Sequence, residues 1–285
     1  MTGTSIADLS DRGVIAVMGE DAQGFLDNLV TNDIELLDRQ RAIHAALLTP
    51  QGKILFAFFI VPRGDGFLLE TARSSVPALM KRLTLYRLRA KVTFEDLSDR
   101  TAVLAAWGPD GALPPGAVAW PDPRDGRLGS RIIVALDQVP EASADVADYD
   151  LRRVALRVPE AGRDYVLGDT FPHEARMDLL AGVSFTKGCY VGQEVVARMQ
   201  HKTVVRKRVV RIAADGALRE GSDILFGEAV IGRVGTVAGS SALAMLRLDR
   251  ALEAKDKGLV LTADGVDLAV HDEDLGAYAA AAARA

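Results

Sequence analysis

Cysteine occurs once in this chain, at position 189, inside the run Lys187-Gly-Cys-Tyr-Val-Gly-Gln-Glu194. A thiolate is both a nucleophile and a soft metal ligand, so its setting decides what it can do. Gly188 and Gly192 flank the cysteine and Tyr190, which permits a tight backbone that a ligand could approach closely. After Gly192 the sequence becomes helix-friendly, placing Cys189 just before a helix N-terminus with Lys187 two residues away. Both a helix N-terminus and a nearby cation favour the thiolate form. Glu194 falls in the first turn of that helix, where its charge suits the dipole. By residue type alone a lone cysteine is most often a small buried hydrophobe. The glycines, lysine and glutamate around this one describe a functional loop instead.

Other chemistry is sparse. His44, His173, His201 and His271 are scattered, and none pairs with another at ligand spacing, so neither a Cys–His nucleophile nor a metal site follows from spacing. One cysteine excludes an internal disulfide and an all-cysteine metal site within a single chain. Arg198, His201, Lys202, Arg206, Lys207, Arg208 and Arg211 form a local basic stretch. It reads first as a solvated strand face; its sharper alternative is a rim attracting an anionic ligand such as a polyglutamate tail. Glu160 sits in the proline–glycine loop Val158-Pro-Glu-Ala-Gly162. A carboxylate there is ordinarily solvated, but a buried one accepts two hydrogen bonds from an amino-pyrimidine-type edge.

These groups must be positioned by 285 residues, 49% hydrophobic and 26% charged, enough for two or three compact units. A net charge of −5 gives no global basic field for nucleic acid. The longest apolar run, Ile54 to Val61, is far short of the ~20 residues of a membrane helix. The N-terminus lacks a secretory core and carries acids where a presequence carries arginines, which predicts a soluble cytoplasmic protein. Val14–Met18 reads as a strand, and Asp21 as the cap of a helix running to about Val30. Ala42–Leu48 and Ile54–Val61 form a hairpin across Thr49-Pro50-Gln51-Gly52. The strand Phe67–Thr71, a helix from Ser74 or Ser75 to Arg87 and Val92–Phe94 complete a mixed α+β unit compatible with a ferredoxin-like sheet. A second unit starts near Thr101, with strands at Thr101–Trp107 and Arg131–Leu136 and a helix near Asp148–Arg157. From about Thr203, short strands separated by glycine and acidic turns predict a small barrel or sandwich. The alanine-rich end reads as a frayed tail.

Gly182-Val-Ser-Phe-Thr-Lys-Gly-Cys-Tyr-Val-Gly-Gln-Glu194, continued by Ala197-Arg198 and Val205-Arg-Lys-Arg208, closely resembles the signature of the YgfZ-type folate-binding proteins. Phe25-Leu-Asp-Asn-Leu-Val-Thr-Asn-Asp33 and Ala46-Leu-Leu-Thr-Pro-Gln-Gly-Lys53 look like that family's N-terminal helix and hairpin. The resemblance implies a relative of the glycine-cleavage T-protein: an α+β aminomethyltransferase-like fold with two ferredoxin-like units around a central folate channel, plus a C-terminal β-barrel. The boundaries expected are 1–203, 204–275 and an alanine-rich tail at 276–285. It implies a tetrahydrofolate-binding accessory factor that assembles or repairs [4Fe–4S] clusters without classical turnover. Its partners would be reduced folate and the iron–sulfur assembly machinery or client proteins, with neither nucleic acid nor membrane. The reacting residues carried over are Cys189, Lys187 and Glu194. Those on the folate side are Glu160, Tyr190, Arg176, Gly188, Gly192, Gln193 and Arg198. Arg176 stands where many members have an asparagine, and an arginine there could bind a folate carboxylate. No resident metal is implied; a transient cluster would be shared with a partner, a second copy or a small thiol. The alternatives are a folate-dependent one-carbon transferase with Asp33 or Glu194 as its acid/base group, and a non-catalytic interaction module.

Overall fold

The computed structural model describes residues 3–109, 113–202 and 204–284. Part of the Gly108–Gly116 loop, and Thr203 at the expected start of the barrel, therefore lie outside the described residues. The chain divides into two compact units, Met1–Tyr149 with Leu180–Gln193, and Asp150–Leu179 with Glu194–Ala285. This division differs from the expected boundary at 203. The chain leaves the first unit after Tyr149, returns at Leu180 and leaves again after Gln193, a path that local periodicity does not encode.

In the first unit the elements run β1 (Ser5–Asp8), β2 (Arg12–Met18), α1 (Ala22–Asp27), β3 (Ile43–Leu48), β4 (Ile54–Arg63), β5 (Gly66–Ala72), α2 (Val76–Arg87) and β6 (Thr93–Asp96). They continue with β7 (Thr101–Trp107), β8 (Val118–Pro121), β9 (Ser130–Ala135) and the start of α3 (Val146–Leu156). One antiparallel sheet has the order β3-β4-β5-β2-β6, and a second has the order β1-β7-β9-β8. The expected second unit from residue 101 thus shares its sheet with β1 from the N-terminus. β1 is four residues with one apolar side chain fewer than a confident alternation needs, which is why its sequence does not announce a strand. The hairpin turn forms as expected: the Gly52 N–H donates to the Thr49 carbonyl at 2.8 Å, with Gly52 at φ +80°. α1 stops at Asp27 rather than Val30, because Val30 leaves the helix to bridge Leu47. Asp21 holds the position before α1, but its carboxylate accepts from the Lys91 N–H at 2.7 Å instead of capping the helix.

β2, β3 and β5 are buried along almost their whole length, since both faces of the five-stranded sheet are covered. One face packs Ile15, Val17, Ile43, Phe58, Ile60 and Leu69 against Phe25 and Leu26 of α1 and Leu79 and Leu83 of α2. By strand alternation the other face carries Glu70, Phe59 and His44. There Glu70, fully buried, pairs with Arg12 and lies 3.6 Å from Arg131. Asp122 takes a two-pronged bond from Arg124 at 3.0 and 2.8 Å, and Arg124 and Arg131 both reach the Tyr149 hydroxyl. The two guanidiniums also lie 4.8 and 5.3 Å from the Phe59 ring centroid. The two sheets of this unit therefore join through paired charges and aromatic rings rather than an all-apolar seam.

The second unit contains the rest of α3, α4 (Gln193–Lys202) after its first residue, and a closed barrel of six strands. The strands are β10 (Lys207–Ala214), β11 (Asp223–Phe226), β12 (Ala229–Ala238), β13 (Ser241–Arg247), β14 (Leu261–Ala263) and β15 (Val266–Val270), with α5 (Leu248–Asp256) between β13 and β14. Val210, Ile212 and Ala214 alternate into the barrel core. The expected frayed tail is corrected: α6 (Asp272–Ala282) is an ordered helix. Its Leu275 is buried and Tyr278 packs on the barrel core. Asp274 accepts from Arg176 at 3.0 Å and Arg157 at 3.3 Å, which binds α6 to the loop before α4. Alanine runs have no apolar period to read, but they are the best helix formers once such anchors exist.

His44 gives the polar seam a pH signature. Burial, reinforced by the Arg124 guanidinium, lowers its pKa from 6.5 to about 3, and among the described residues its Nδ1 has no hydrogen-bond partner. The unfolded chain takes up a proton near pH 6.5 that the folded chain refuses until about pH 3, so stability falls as pH falls through this window. We expect His44→Gln to remove this component. By urea unfolding, the loss from neutral pH to about pH 5 should be smaller than in the parent protein by about 2 kcal/mol.

Candidate functional site

Cys189 is exposed. It lies in the segment 180–193 that belongs to the first unit, and the residues beside it explain how that segment is fixed. Lys187 does not point its charge into solvent. Its side chain is 1% exposed, and its Nζ donates among the Asp27 carbonyl (2.5 Å), the Asp27 carboxylate (2.9 Å), the Asn32 carbonyl (2.9 Å) and the Val30 carbonyl (3.2 Å). Carbonyls at the end of α1 and in the turn after it have no intrahelical partner, and a lysine satisfies them while matching the dipole. This corrects the role expected for Lys187 as a cation serving the thiol: its ammonium is committed to the α1 terminus.

Thr31 and Asn32 clamp the same segment from the other side. The Thr31 hydroxyl donates to the Gly182 carbonyl at 2.7 Å, and the Ser184 N–H donates to the Thr31 carbonyl at 2.9 Å. The Asn32 amide donates to the Ala181 and His44 carbonyls, both at 2.8 Å. The Thr-Asn-Asp stretch looks in sequence like an ordinary turn; nothing local reveals that its side chains reach residues some 150 positions away. Asp33, the carboxylate considered for acid/base work, caps the following turn by accepting from the Glu35 N–H at 2.9 Å.

The two glycines of the loop differ. Gly192 has φ +84°, and a Cβ there would stand 2.6 Å from the Thr49 carbonyl and 3.0 Å from the Gly52 Cα. The loop therefore lies directly on the β3–β4 hairpin turn, and only glycine fits. A Cβ on Gly188 would meet nothing within 4 Å. Tyr190 is buried, with the Lys187 ammonium 5.6 Å from its ring centroid. Burial pushes its hydroxyl up to about 12. Gln193 accepts from the Tyr190 N–H at 3.4 Å and donates its own N–H back to the Tyr190 carbonyl at 3.3 Å, closing the turn into α4. Tyr190 and Gln193 are thus built into the loop rather than displayed on it.

The remaining expected residues belong to the second unit, where they form two separate clusters. Glu160 is buried, and its Oε1 lies 3.9 Å from the Nε of the fully buried Arg153. Arg153 also bonds Asp150 (2.7 Å), Asp164 (3.1 Å), the Val158 carbonyl (3.0 Å) and Thr236 (3.0 Å). Asp164 accepts from the Glu160 N–H and from the Thr236 N–H, each at 2.7 Å. The β12–β13 register shifts between Val234 and Val237, and a Cβ on Gly235 would stand 2.5 Å from the Asp164 carboxylate. A bulge in β12 therefore opens to seat the Glu160 loop. Arg176 is elsewhere: it is buried at φ +63° and bonded to Asp274 and the Val209 carbonyl. Both of these bonds use its Nη1. Arg176 lines a cavity of about 780 Å³ with His173, Asp178, Arg208 and Tyr278; Glu160 does not. Arg208 of the basic stretch is itself bidentate to Asp178 at 2.9 and 3.2 Å. Glu194 and Arg198 are exposed on α4.

Residues 1–112 match the GCVT N-terminal domain, and residues 206–275 match the CAF17 C-terminal beta-barrel domain. The chain is 33% identical over 228 residues to the mitochondrial iron–sulfur cluster assembly factor IBA57 homolog of Mycosarcoma maydis, covering 73% of this chain and 57% of that protein. The mitochondrial IBA57 proteins of Mus musculus and Homo sapiens are 33% and 34% identical, over 74% and 70% of this chain and 66% and 64% of theirs. The chain spans about half the length of the fungal relatives it matches. The aminomethyltransferase T of the Bartonella henselae glycine cleavage system superposes with a TM-score of 0.74 at 18% identity, over 95% of this chain and 86% of that one. These relatives overturn the expected cytoplasmic location, since they are mitochondrial proteins by name. An acidic N-terminus is silent on the matter once the chain is shorter than its relatives. The chain belongs to the CAF17/IBA57 family, with a GCVT aminomethyltransferase-like fold completed by a six-stranded C-terminal β-barrel.

Proposed function

We propose that this chain is an accessory factor in the assembly or repair of [4Fe–4S] clusters, offering Cys189 as one ligand of a site completed by another molecule. The observation that carries this reading is the exposed thiol on a loop whose other members are spent on fixing it. Lys187 is buried under the α1 terminus, Gly192 is pressed on the hairpin turn, and Tyr190 and Gln193 close the entry to α4. Such a loop holds a sulfur at the surface with little freedom to retreat, which suits a group that must be met by a partner. A thiolate binds iron after giving up its proton, and one cysteine cannot hold a cluster alone. The names of the IBA57 relatives point the same way.

A reduced folate belongs to the proposal through Glu160. The residues present fit it: a buried carboxylate beside a buried guanidinium can accept paired N–H groups from the amino-pyrimidine edge of a pterin. Arg153 and Asp164 hold the loop that carries it, so Glu160 is positioned without using its own backbone freedom. The transferase alternative would draw on Glu194, exposed on α4, or on Asp33, whose carboxylate accepts from the Glu35 N–H.

Four outcomes are expected. Cys189→Ser leaves the melting temperature unchanged but fails to restore [4Fe–4S] enzyme activity in a strain lacking the protein; full restoration would remove the thiol from the mechanism. Glu160→Gln weakens tetrahydrofolate binding, read by calorimetry, by about tenfold to a hundredfold. Gly192→Ala destabilises the chain by about 1–3 kcal/mol in urea unfolding. Gly188→Ala, facing open space, changes stability by less than about 0.5 kcal/mol, so any loss of cluster-enzyme activity in that variant reports on what approaches Cys189.

A further inference from the structure

We propose that the groove between α1 and the C-terminal end of α2 is a docking site for an acidic amphipathic helix of a partner protein. The surface is unusual in charge. Between Glu70 and Glu95 the sequence has no acidic residue, while Arg73, Lys81, Arg82, Arg87, Arg89 and Lys91 all fall there, in a chain whose net charge is −5. Arg73 pairs with Asp99 and Lys91 with Glu20. Among the described residues, Lys81, Arg87 and Arg89 make no ion pair. A cationic face on an acidic protein selects an anionic partner and speeds its encounter.

The apolar part is equally specific. Leu88, between Arg87 and Arg89 in the groove lining, is 88% exposed, and Leu85, three residues before it, is 62% exposed. Leu88 also holds φ +44°, a conformation that a leucine adopts only against a steric cost. The bend it makes at the end of α2 projects its side chain onto the rim of a groove of about 540 Å³, floored by Phe25, Leu29 and Tyr86. Gly24, within α1, forms part of the groove wall, and a Cβ there would meet nothing within 4 Å. Nothing inside the protein requires glycine at that position, and glycine weakens a helix. Its absent side chain deepens the groove for an incoming one.

Concavity with apolar walls fits a helix that inserts side chains spaced along one face. Two carboxylates also line the groove, but Glu20 is paired with Lys91 and Asp21 accepts from the Lys91 N–H, so the charges left for a partner there are those of Arg87 and Arg89. The same α1 that walls the groove ends at Asp27, whose carbonyl and carboxylate bind Lys187. A helix seated there would bear on the element that anchors the Cys189 loop. That last consequence rests on the function proposed above; the docking itself does not.

The test uses the full chain and a synthetic helical peptide with leucines at helical spacing on a glutamate background, followed by fluorescence anisotropy. Binding should weaken as salt is raised. It should weaken about tenfold or more in Arg87→Glu/Arg89→Glu and in Gly24→Leu, which fills the groove while favouring the helix. Leu88→Gly should lose binding without loss of thermal stability, and Cys189→Ser should bind like the parent chain, separating this outcome from the fate of the cluster reading. No binding of the peptide, binding indifferent to these substitutions, or preference for phosphatidylserine vesicles or single-stranded RNA over the peptide would overturn the proposal.

Discussion

A single buried ammonium organises the candidate site. Lys187 gives its charge to one carboxylate and three carbonyls at the end of α1 and in the turn after it, and in doing so fixes a loop about 160 residues later in the sequence. A lysine buried this completely is tolerated only when its donors are all taken. The α1 terminus is equally in need at its last residue: the Gly24 and Leu26 carbonyls accept from N–H groups just beyond the helix, whereas the Asp27 carbonyl takes the lysine. Each side satisfies the other, so neither the helix end nor the loop is free to move alone. Thr31, Asn32 and the glycine contact at the hairpin turn then surround this bond with geometry that admits one loop conformation.

The second unit solves a similar problem with an arginine. Arg153, buried without exposure, collects Asp150, Asp164, the Val158 carbonyl and Thr236, and this fixes the Glu160 loop on the barrel bulge. Arginine suits the role because its planar fork bonds several acceptors at once, where lysine offers a point charge. Asp274 does the converse on α6, taking two arginines whose backbones, at φ +58° and +63°, depart from the ordinary right-handed region. Breaking such a buried pair leaves an uncompensated charge, which costs far more than the pair contributes in place. These ties make the loops of the second unit specific rather than merely compact.

Much of this was legible in the residues, but unevenly. The strands of the five-stranded sheet, β7 and β9 of the other, the hairpin, α2 and the barrel announce themselves because alternation and turn chemistry are local properties. The Lys187–Glu194 run was recognisable because glycine, cysteine and charge at fixed spacing are rare together. What the sequence hid was partnership. Lys187 reads as an electrostatic aid to Cys189 when only neighbours in sequence are considered, yet its partners lie at Asp27, Val30 and Asn32. Arg176 reads as a ligand for an anion, yet it is bonded to Asp274, two residues ahead of what looked like a frayed tail. Burial of a charge is a tertiary fact, and no local pattern states which opposite charge will be found.

The same reasoning explains why the cysteine itself is left exposed. Three polar side chains near it are drawn into internal bonds: the lysine to α1, the glutamine to the tyrosine backbone, the serine at 184 to the N–H groups of Thr186 and Lys187. A loop so thoroughly satisfied from within has no structural use for a thiol, since a buried position would have served a small hydrophobe equally well. Gly188 completes the contrast with Gly192. One glycine is demanded by the protein's own backbone, whereas the other borders open space. The pair of unconstrained positions, Gly188 and Cys189, is therefore the part of the motif whose residue types the fold leaves unexplained, and the part that an approaching molecule would meet first.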